Sequence, residues 1–269
     1  MAVPCGRCYA CLRNYQMSWI IRLKEEQKVA DNCYFITLTY NEENIPRDTE
    51  GNTHVEKTDV QKFIKRLRKR IGKDNKLRYY LAAEYGTTTM RPHYHAVLFN
   101  LPSNDVIKTR RLIAKAWSIQ DPVTKRYNAL GFVQCDSVNE NRIAYVTGYC
   151  MDKHKNLKSE KKVFSLMSQG LGKAYLNSAE RFAWHKDKPL ENLYYPLENG
   201  KKLALPRYYR TKIISSEITR EVLRGITERE SHLFYLENRD EVHKKFAETV
   251  AKNKQQEKRY NKNKYKKKL

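Results

Sequence analysis

The sequence predicts an α+β fold in which helices flank a mostly antiparallel β-sheet. Apolar runs of strand type alternate with helical patterns along most of the chain. Two of the strand-type runs, residues 77–86 and 92–99, are separated by a short loop with glycine and proline, which is typical of a β-hairpin. Because a hairpin joins antiparallel neighbours, the sheet around it is predicted to be mostly antiparallel.

The first two elements follow from residue spacing and residue type. Tyr15, Trp19 and Leu23 recur at helical intervals after a cysteine cluster and predict an amphipathic helix that ends near Ala30. The run CYFITLTY, residues 33–40, is β-branched and aromatic, which predicts a buried central strand. A polar loop follows this strand.

A second helix is predicted after that loop, with a capping box at Thr58 and Gln61. One face of this helix is apolar, with Val60, Phe63, Ile64, Leu67 and Ile71. The other face is basic, which indicates either a solvated charged surface or a stripe that contacts the DNA backbone. From this face and the hairpin loop we take five candidate DNA-binding residues: Lys62, Lys65, Arg66, Lys69 and Arg91.

Beyond the hairpin, the pattern predicts a helix around residues 104–117 and a strand around 130–138. Another helix is predicted over about 138–153, with a capping box at Ser137 and Glu140. These elements complete the alternation of strands and helices that the α+β prediction requires.

The chain is predicted to contain four segments. They are an N-terminal cysteine cluster and helix (1–32), an α+β core (33–153), an extension without clear period (154–215) and a basic helical segment with a lysine-rich tail (216–269). The helix of the last segment is predicted to end near residue 250. The tail beyond it is low in complexity and cannot bury a core, so we expect it to be flexible.

The strongly basic composition predicts a polyanionic partner. The chain has 53 Lys and Arg residues against 30 Asp and Glu residues, a net charge of +23. Such a charge repels itself, and nucleic acid is the partner that most often compensates it. The 19 tyrosines add aromatic faces that suit stacking on unpaired bases. An anionic membrane surface is the weaker alternative, and a generic basic protein is the other.

Other function classes lack their sequence signals. No apolar run approaches a membrane span and no signal peptide is found, so we expect a soluble protein that is not exported. Six cysteines in a chain of this size without a secretion signal do not suggest a disulfide framework. There is no P-loop, so no helicase activity is implied.

Two histidines lie one residue apart in RPHYHAVLF, residues 91–99. Residues two apart on a strand point to the same face, so His93 and His95 project together. The hairpin register places Glu84 opposite residue 93 or 94 on the neighbouring strand. One carboxylate and two imidazoles would then form a facial cation site with positions open for water or substrate. The alternative is that the histidines bond to protein groups and the carboxylate faces solvent.

Two tyrosines and a lysine, Tyr145, Tyr149 and Lys153, recur four residues apart and would share one face of the last core helix. The apolar side of that helix carries different residues: Ile143, Val146 and Cys150. A tyrosine hydroxyl ionises at about pH 10, so it needs electrostatic help to act as a nucleophile. A cation on a phosphate and a nearby ammonium group would supply that help. An aromatic stripe that serves packing is the alternative.

The order of these motifs resembles the rolling-circle replication initiators known as HUH endonucleases, in which Tyr94 stands between the two histidines. The chain is most similar to the replication-initiation proteins of small single-stranded DNA bacteriophages, the Microviridae, and especially their gokushovirus-like members. The segments that carry the resemblance span roughly residues 4–210: PCGRCYACLR, EYGTTTMRPHYHAVLF, AYVTGYC, FSLMSQGLG and PRYYR.

The resemblance implies an HUH endonuclease fold for the core, with a divalent cation, Mg2+ or Mn2+, on Glu84, His93 and His95. It also implies that Tyr145 and Tyr149 attack DNA phosphates and leave a 5′-phosphotyrosyl link and a 3′-hydroxyl primer. The second tyrosine would cut the regenerated origin, and the released strand would be closed into a circle. Lys153 is the matching basic residue, although the family often has one nearer the tyrosines, where Gly148 stands here. The general base is not assigned.

The N-terminal cysteines Cys5, Cys8 and Cys11 also recur in that family. They offer three soft ligands, and with Cys33 or another residue as the fourth they would bind a structural zinc ion. The alternative is three reduced thiols at the start of the first helix.

The partners implied by the resemblance are single-stranded origin DNA, the duplex replicative form and host replication proteins such as a polymerase and a helicase. The expected location is the cytoplasm of a bacterial host, with no membrane partner. Two other functions stay open. One is a non-catalytic nucleic-acid-binding protein with a zinc module, and the other is an HUH relaxase or transposase.

Overall fold

A computed structural model describes residues 5–86, 88–149, 162–189, 191–197, 200–214 and 239–266, and a few single positions from 217 to 228. Its helices are α1 (Tyr9–Gln27), α2 (Lys57–Ile71), α3 (Val106–Ala116), α4 (Glu140–Gly148), α5 (Ala179–Asp187), α6 (Arg207–Ile213) and α7 (Arg239–Lys266). The strands are β1 (Cys33–Thr39), β2 (Arg78–Tyr85), β3 (Pro92–Phe99), β4 (Ser118–Gln120), β5 (Tyr127–Ala129), β6 (Val133–Ser137), β7 (Ser165–Met167), β8 (Tyr194–Pro196) and β9 (Lys202–Ala204).

The central sheet has five strands in the order β6-β1-β3-β2-β7, and every neighbouring pair in it is antiparallel. This confirms the predicted α+β class and the predicted hairpin of β2 and β3. The two small hairpins, β4-β5 and β8-β9, stand outside this sheet. All five strands of the central sheet belong to one compact unit, residues 19–175.

The side chains of β3 alternate between two cores, one on each face of the sheet. Tyr94, Ala96 and Leu98 lie in the first core, which contains the apolar sides of α2 and α3. Val97 and Phe99 lie in the second core, together with residues from α1 and α4: Trp19, Leu23, Ile143 and Val146. Burying one large apolar side chain stabilises the fold by about 1.5–3 kcal/mol, so both faces of β3 contribute to its position.

The predicted helix caps were wrong, although the helices themselves exist. The first N–H groups of α2 are capped by Glu56, whose carboxylate accepts from Thr58 N at 3.1 Å, while Thr58 itself lies inside the first turn. The cap of α4 is Asn139, which accepts from Arg142 N at 2.9 Å. Ser137 is not available as a cap because it is paired in β6. The predicted end of this helix, at residue 153, lies outside the described residues.

The second compact unit comprises Met1–Ser18 and Leu176–Leu269 and includes α5, α6 and α7. The stretch that the sequence predicts as a flexible tail is helical up to Lys266. Its described portion has no glycine or proline and is rich in lysine, glutamine and glutamate, which are good helix formers. Tyr260 of α7 contacts Tyr9, with 6.1 Å between the ring centroids. None of the described helices is both long enough and apolar enough to span a membrane.

The chain needs a glycine at position 131, where it runs against the end of β1. A Cβ atom on Gly131 would lie 2.1 Å from Thr39 O and 2.7 Å from Asn41 N, which are backbone atoms that cannot move aside. Gly131→Ala is therefore expected to lower the free energy of unfolding by roughly 1–3 kcal/mol or more. Denaturant unfolding of the purified protein measures this loss.

Gly225→Ala is the matched control, because a Cβ atom there would meet nothing within 4 Å. An equal loss in both variants, or no loss in Gly131→Ala, would contradict the close approach of the chain at this position.

Candidate active site

His95 is held between two neighbouring strands by polar contacts on both ring nitrogens. Its Nε2 lies 2.8 Å from Glu84 Oε1 on β2, and its Nδ1 lies 3.0 Å from Thr37 Oγ1 on β1. All three side chains are on the same sheet face because Thr37 and Ala82 are the register partners of His95. His95 and Glu84 are 5% and 8% exposed, so these contacts form largely away from water.

His93 lies at the next position of the same face, directly opposite Glu84 on β2 and Thr39 on β1. The predicted register across the hairpin is therefore confirmed. The two imidazole rings are nearly parallel, with 6.4 Å between their centroids. Gly86 gives His93 its space, since a Cβ atom on residue 86 would lie 3.1 Å from His93 Cε1.

These residues supply the donor types that a divalent cation requires. Glu84 offers carboxylate oxygens, and His93 and His95 offer imidazole nitrogens from one sheet face. Within the described residues, however, their ligand atoms do not converge as closely as those of the cysteine cluster, which all lie within 4.8 Å of one another. A cation would replace the contact between Glu84 and His95 Nε2. In that tautomer, His95 Nδ1–H would donate to Thr37, because a hydroxyl can accept as well as donate.

The two tyrosines of α4 lie against His95. The Tyr149 ring stacks on the imidazole with a centroid distance of 5.0 Å and an angle of 6° between the planes. The Tyr145 ring contacts the same imidazole edge-on at 5.3 Å. The structure thus brings the tyrosine motif and the histidine motif together, although about 50 residues separate them in the sequence.

The environments of the two tyrosines differ. Tyr145 is 42% exposed, whereas Tyr149 is 3% exposed and belongs to the second core with Ile143 and Val146. Burial, and then the charge of Glu84, raises the pKa of Tyr149 well above its ordinary value. The sequence placed both tyrosines outside the core side of the helix, and for Tyr149 this was wrong. Tyr145 is the tyrosine that a phosphate can reach in this conformation.

Two side chains of the predicted helix, Lys153 and Cys150, lie outside the described residues. The role of Lys153 as an orienting cation therefore stays a prediction.

The candidate DNA-binding residues do not lie together with the histidines and tyrosines. Lys62, Lys65 and Lys69 are exposed on α2, which packs on the other face of the sheet. Arg66 is half-buried on the same helix, and its Nε donates to Ala116 O at 2.8 Å, so it connects α2 to α3. Desolvation lowers the pKa of this guanidinium.

Arg91, the fifth candidate, is in the loop between β2 and β3, next to the face of the histidines. It is ion-paired with Glu42, and its Nη2 donates to Tyr40 O at 2.9 Å. Of the five candidate DNA-binding residues, it is the one that lies next to the candidate site in sequence, two positions before His93.

The N-terminal cysteines form a second group of candidate ligands. The sulfur atoms of Cys5, Cys8 and Cys11 all lie within 4.8 Å of one another. Cys5 Sγ accepts from the backbone N–H groups of Arg7 at 3.4 Å and Cys8 at 3.2 Å. These two backbone hydrogen bonds lower the pKa of the Cys5 thiol to about 7. Such a turn favours the thiolate form, which is the form that binds metal.

Sequence reasoning did not identify Thr37 and Gly86 as part of the site. Thr37 lies in the predicted strand CYFITLTY, but only the pairing of β1 with β3 shows that it faces His95. Gly86 was identified as a loop residue, and only its distance to the His93 ring shows why a side chain would not fit there. Local sequence patterns carry neither signal because both contacts join different strands.

Replacement of Tyr149 by alanine tests this packing independently of any activity. Because the ring is buried against His95 and α4, Tyr149→Ala is expected to lower the free energy of unfolding by about 3–5 kcal/mol. Tyr145→Ala is the control and is expected to cost about 1 kcal/mol, since that ring is partly exposed. Denaturant unfolding measures both, and equal losses would contradict the difference in burial.

Comparison with known proteins shows similarity to replication-associated proteins. Residues 33–154 match the model of a family described as replication-associated protein of the ORF2 type. The chain is 28% identical over 227 residues to the Replication-associated protein ORF2 of Spiroplasma virus 4, over 77% of this chain and 66% of that protein. It is 27% identical over 226 residues to the Replication-associated protein VP4 of Bdellovibrio phage phiMH2K, over 78% of this chain and 66% of that protein.

The chain thus spans just under two thirds of the length of these two curated relatives, 66% in both cases. No solved structure matches it. The matched region, residues 33–154, contains Glu84, both histidines and both tyrosines, so the chain is similar to replication-associated proteins in the part that forms the candidate active site.

Proposed function

We propose that this protein is a rolling-circle replication initiator of a small DNA phage that nicks single-stranded origin DNA through a tyrosine nucleophile. The observation that carries the proposal is the packing of Tyr145 and Tyr149 against His95, which itself contacts Glu84. The similarity of residues 33–154 to replication-associated proteins supports the biological role. The net charge of +23 supports a nucleic-acid substrate.

In the proposed reaction, the Tyr145 oxygen attacks the phosphorus of one phosphodiester. The bond from phosphorus to the 3′-oxygen breaks, and that oxygen takes up a proton to become a 3′-hydroxyl. The tyrosine hydroxyl loses its proton and is left esterified to the 5′-phosphate. The phosphotyrosyl ester preserves the energy of the broken bond, so attack by a 3′-hydroxyl can rejoin the strand without a nucleotide cofactor. The 3′-hydroxyl is available as a primer in the meantime.

Glu84, His93 and His95 are the residues that would bind a divalent cation, Mg2+ or Mn2+. The cation would supply Lewis-acid polarisation of the phosphate, which makes the phosphorus more electrophilic. Thr37 positions the His95 ring through Nδ1 and leaves Nε2 directed to the side of Glu84. The surrounding core excludes water from that side of the imidazole.

We assign the first attack to Tyr145 because it is the exposed tyrosine. Tyr149 is neutral at physiological pH, since burial raises its pKa, and its hydroxyl is covered in this conformation. A second cleavage by Tyr149 therefore requires α4 to move away from His95. This order gives the two tyrosines of the motif separate roles in one replication cycle.

The proposed partners are single-stranded origin DNA, the duplex replicative form and host polymerase and helicase, and the proposed location is the bacterial cytoplasm. Lys62, Lys65 and Lys69 would contact DNA on the side of α2, and Lys153 would orient the phosphate. These assignments rest on the charge of the chain and on its similarity to replication-associated proteins.

The assignment of the tyrosines is tested by covalent capture of DNA. The full chain is mixed with single-stranded origin DNA and Mn2+, and adducts that survive denaturation are separated by electrophoresis. We expect an adduct with the unmodified protein, at least about 100-fold less with Tyr145→Phe, and an adduct close to normal with Tyr149→Phe. The expected contrast follows from the exposure of the two rings.

Chelation of the metal and His93→Ala should both abolish the adduct in the same assay. No adduct with the unmodified protein would refute the nickase and favour a non-catalytic nucleic-acid-binding protein. An adduct that persists in the Tyr145→Phe/Tyr149→Phe double variant would show that the nucleophile lies elsewhere. Adducts formed by Tyr149→Phe and lost in Tyr145→Phe support the proposed order, and the reverse pattern contradicts it.

We also propose that Cys5, Cys8 and Cys11 bind a structural zinc ion. Three sulfur atoms within 4.8 Å of one another, with two backbone N–H groups donating to Cys5, fit the soft ligand set that zinc prefers. Burial raises the pKa of Cys33 to about 12, which opposes the thiolate form. We therefore assign the fourth position to water or to a ligand other than Cys33.

Measurement of metal content tests the zinc site. The purified full chain should contain about one zinc ion per molecule, and Cys8→Ser should lose most of it, because two thiolates bind zinc much less tightly than three. Cys135→Ala is the control, since this thiol is buried in the first core of the other compact unit. A zinc-free unmodified protein, or an equal zinc content in Cys8→Ser, would contradict the site.

A further inference from the structure

Phe132 is a large apolar side chain that the fold leaves in water. It is 72% exposed, although its neighbours Leu130 and Cys135 are 2% and 5% exposed. Single exposed apolar residues are common and need no explanation by themselves. The position of this one in the sheet is what sets it apart.

Phe132 continues the pairing of β6 with β1 by one residue beyond the end of β6. Thr39 N donates to Phe132 O at 3.1 Å, and Phe132 N donates to Thr39 O at 3.2 Å. Two residues that exchange both hydrogen bonds are direct partners in an antiparallel pair, so their side chains share a sheet face. Thr39 is in turn the partner of His93, and His93 is the partner of Glu84.

Four side chains therefore form one row across the face of the candidate site: Phe132, Thr39, His93 and Glu84. Neighbouring strands are about 4.8 Å apart, so Phe132 is about 10 Å from His93 along this row. That separation suits a base of a nucleotide whose phosphate, or whose neighbour's phosphate, lies at the histidines.

The backbone that carries Phe132 is fixed in place. Gly131 allows the chain to run against Thr39 and Asn41, where any side chain would clash. On the other side of β1, Arg91 Nη2 donates to Tyr40 O, one residue after Thr39. The end of β1 thus lies between a positioned aromatic side chain and a guanidinium, which are the two groups that bind a base and a phosphate.

We propose that Phe132 stacks on an unpaired base of single-stranded DNA bound across this sheet face. An aromatic face binds every base by stacking, and each stacked base contributes to affinity without reading sequence. The bases of a duplex are already stacked on one another, so this contact selects single-stranded DNA. A net charge of +23 makes a nucleic acid a better match for this face than an apolar protein partner.

The proposal deepens the proposed function, because it places the DNA that Tyr145 would cut. Phe132 acts in binding and does not touch the reacting phosphate, so its effect should appear in affinity. Loss of one stacked base is expected to weaken binding about 5- to 150-fold. Since phenylalanine carries no charge, the slope of affinity against salt concentration should stay the same.

The test is fluorescence anisotropy of the full chain with a labelled single strand of about 16 nucleotides and with the corresponding duplex, over a range of salt concentrations. Phe132→Ala should bind the single strand more weakly, with an unchanged salt slope and unchanged duplex binding. Phe132→Trp should bind the single strand at least as well as the unmodified protein. Phe246→Ala, which removes a phenylalanine that is 62% exposed on α7, is the matched control and should behave as unmodified protein.

The proposal is overturned if Phe132→Ala binds the single strand normally, if the duplex is weakened equally, or if Phe246→Ala has the same effect. Covalent adduct formation by the unmodified protein separates this inference from the proposed function. An adduct together with normal binding by Phe132→Ala would leave the nickase standing without the stacking residue. Weaker binding by Phe132→Ala without any adduct would leave the stacking residue standing without the nickase.

Discussion

The antiparallel pairing of β3 with a strand on each side is the interaction on which the rest of the structure depends. His93 is fixed opposite Thr39 on one side and opposite Glu84 on the other. A shift of one residue in either pairing would turn every side chain of one strand to the other face. The buried alternation of β3 opposes such a shift, because Tyr94, Ala96 and Leu98 would then leave their core.

The same sheet serves stability on one face and chemistry on the other. The face towards α2 and α3 is apolar, apart from hydroxyl contacts such as Tyr40 with Tyr94 at 3.2 Å. The face towards α1 and α4 combines a core with polar groups, since Tyr149 belongs to that core and also stacks on His95. Buried polar groups need partners. His95 has its partners on two strands, so its orientation is fixed before any ligand binds.

The charge of the chain is spread over several surfaces. Lys62, Lys65 and Lys69 are exposed on one side of the sheet, and the histidines are on the other. Arg66 is engaged with a backbone carbonyl and Arg91 with Glu42. A general positive field attracts a polyanion from a distance. Positioned groups next to the candidate site, such as Arg91 and Phe132, are better suited to hold a strand in one register.

The sequence by itself determined the α+β class, the hairpin, the shared face of His93 and His95 and the position of Glu84 opposite them, because alternation along a strand and the length of a hairpin loop are local properties. Only the tertiary structure decided that Thr37 bonds to His95, that Tyr149 is buried while Tyr145 is exposed, and that α2 lies on the other face. These features join residues that are distant in sequence, and they follow from which strands pair and which helix covers each face. No periodicity within a single segment records that choice.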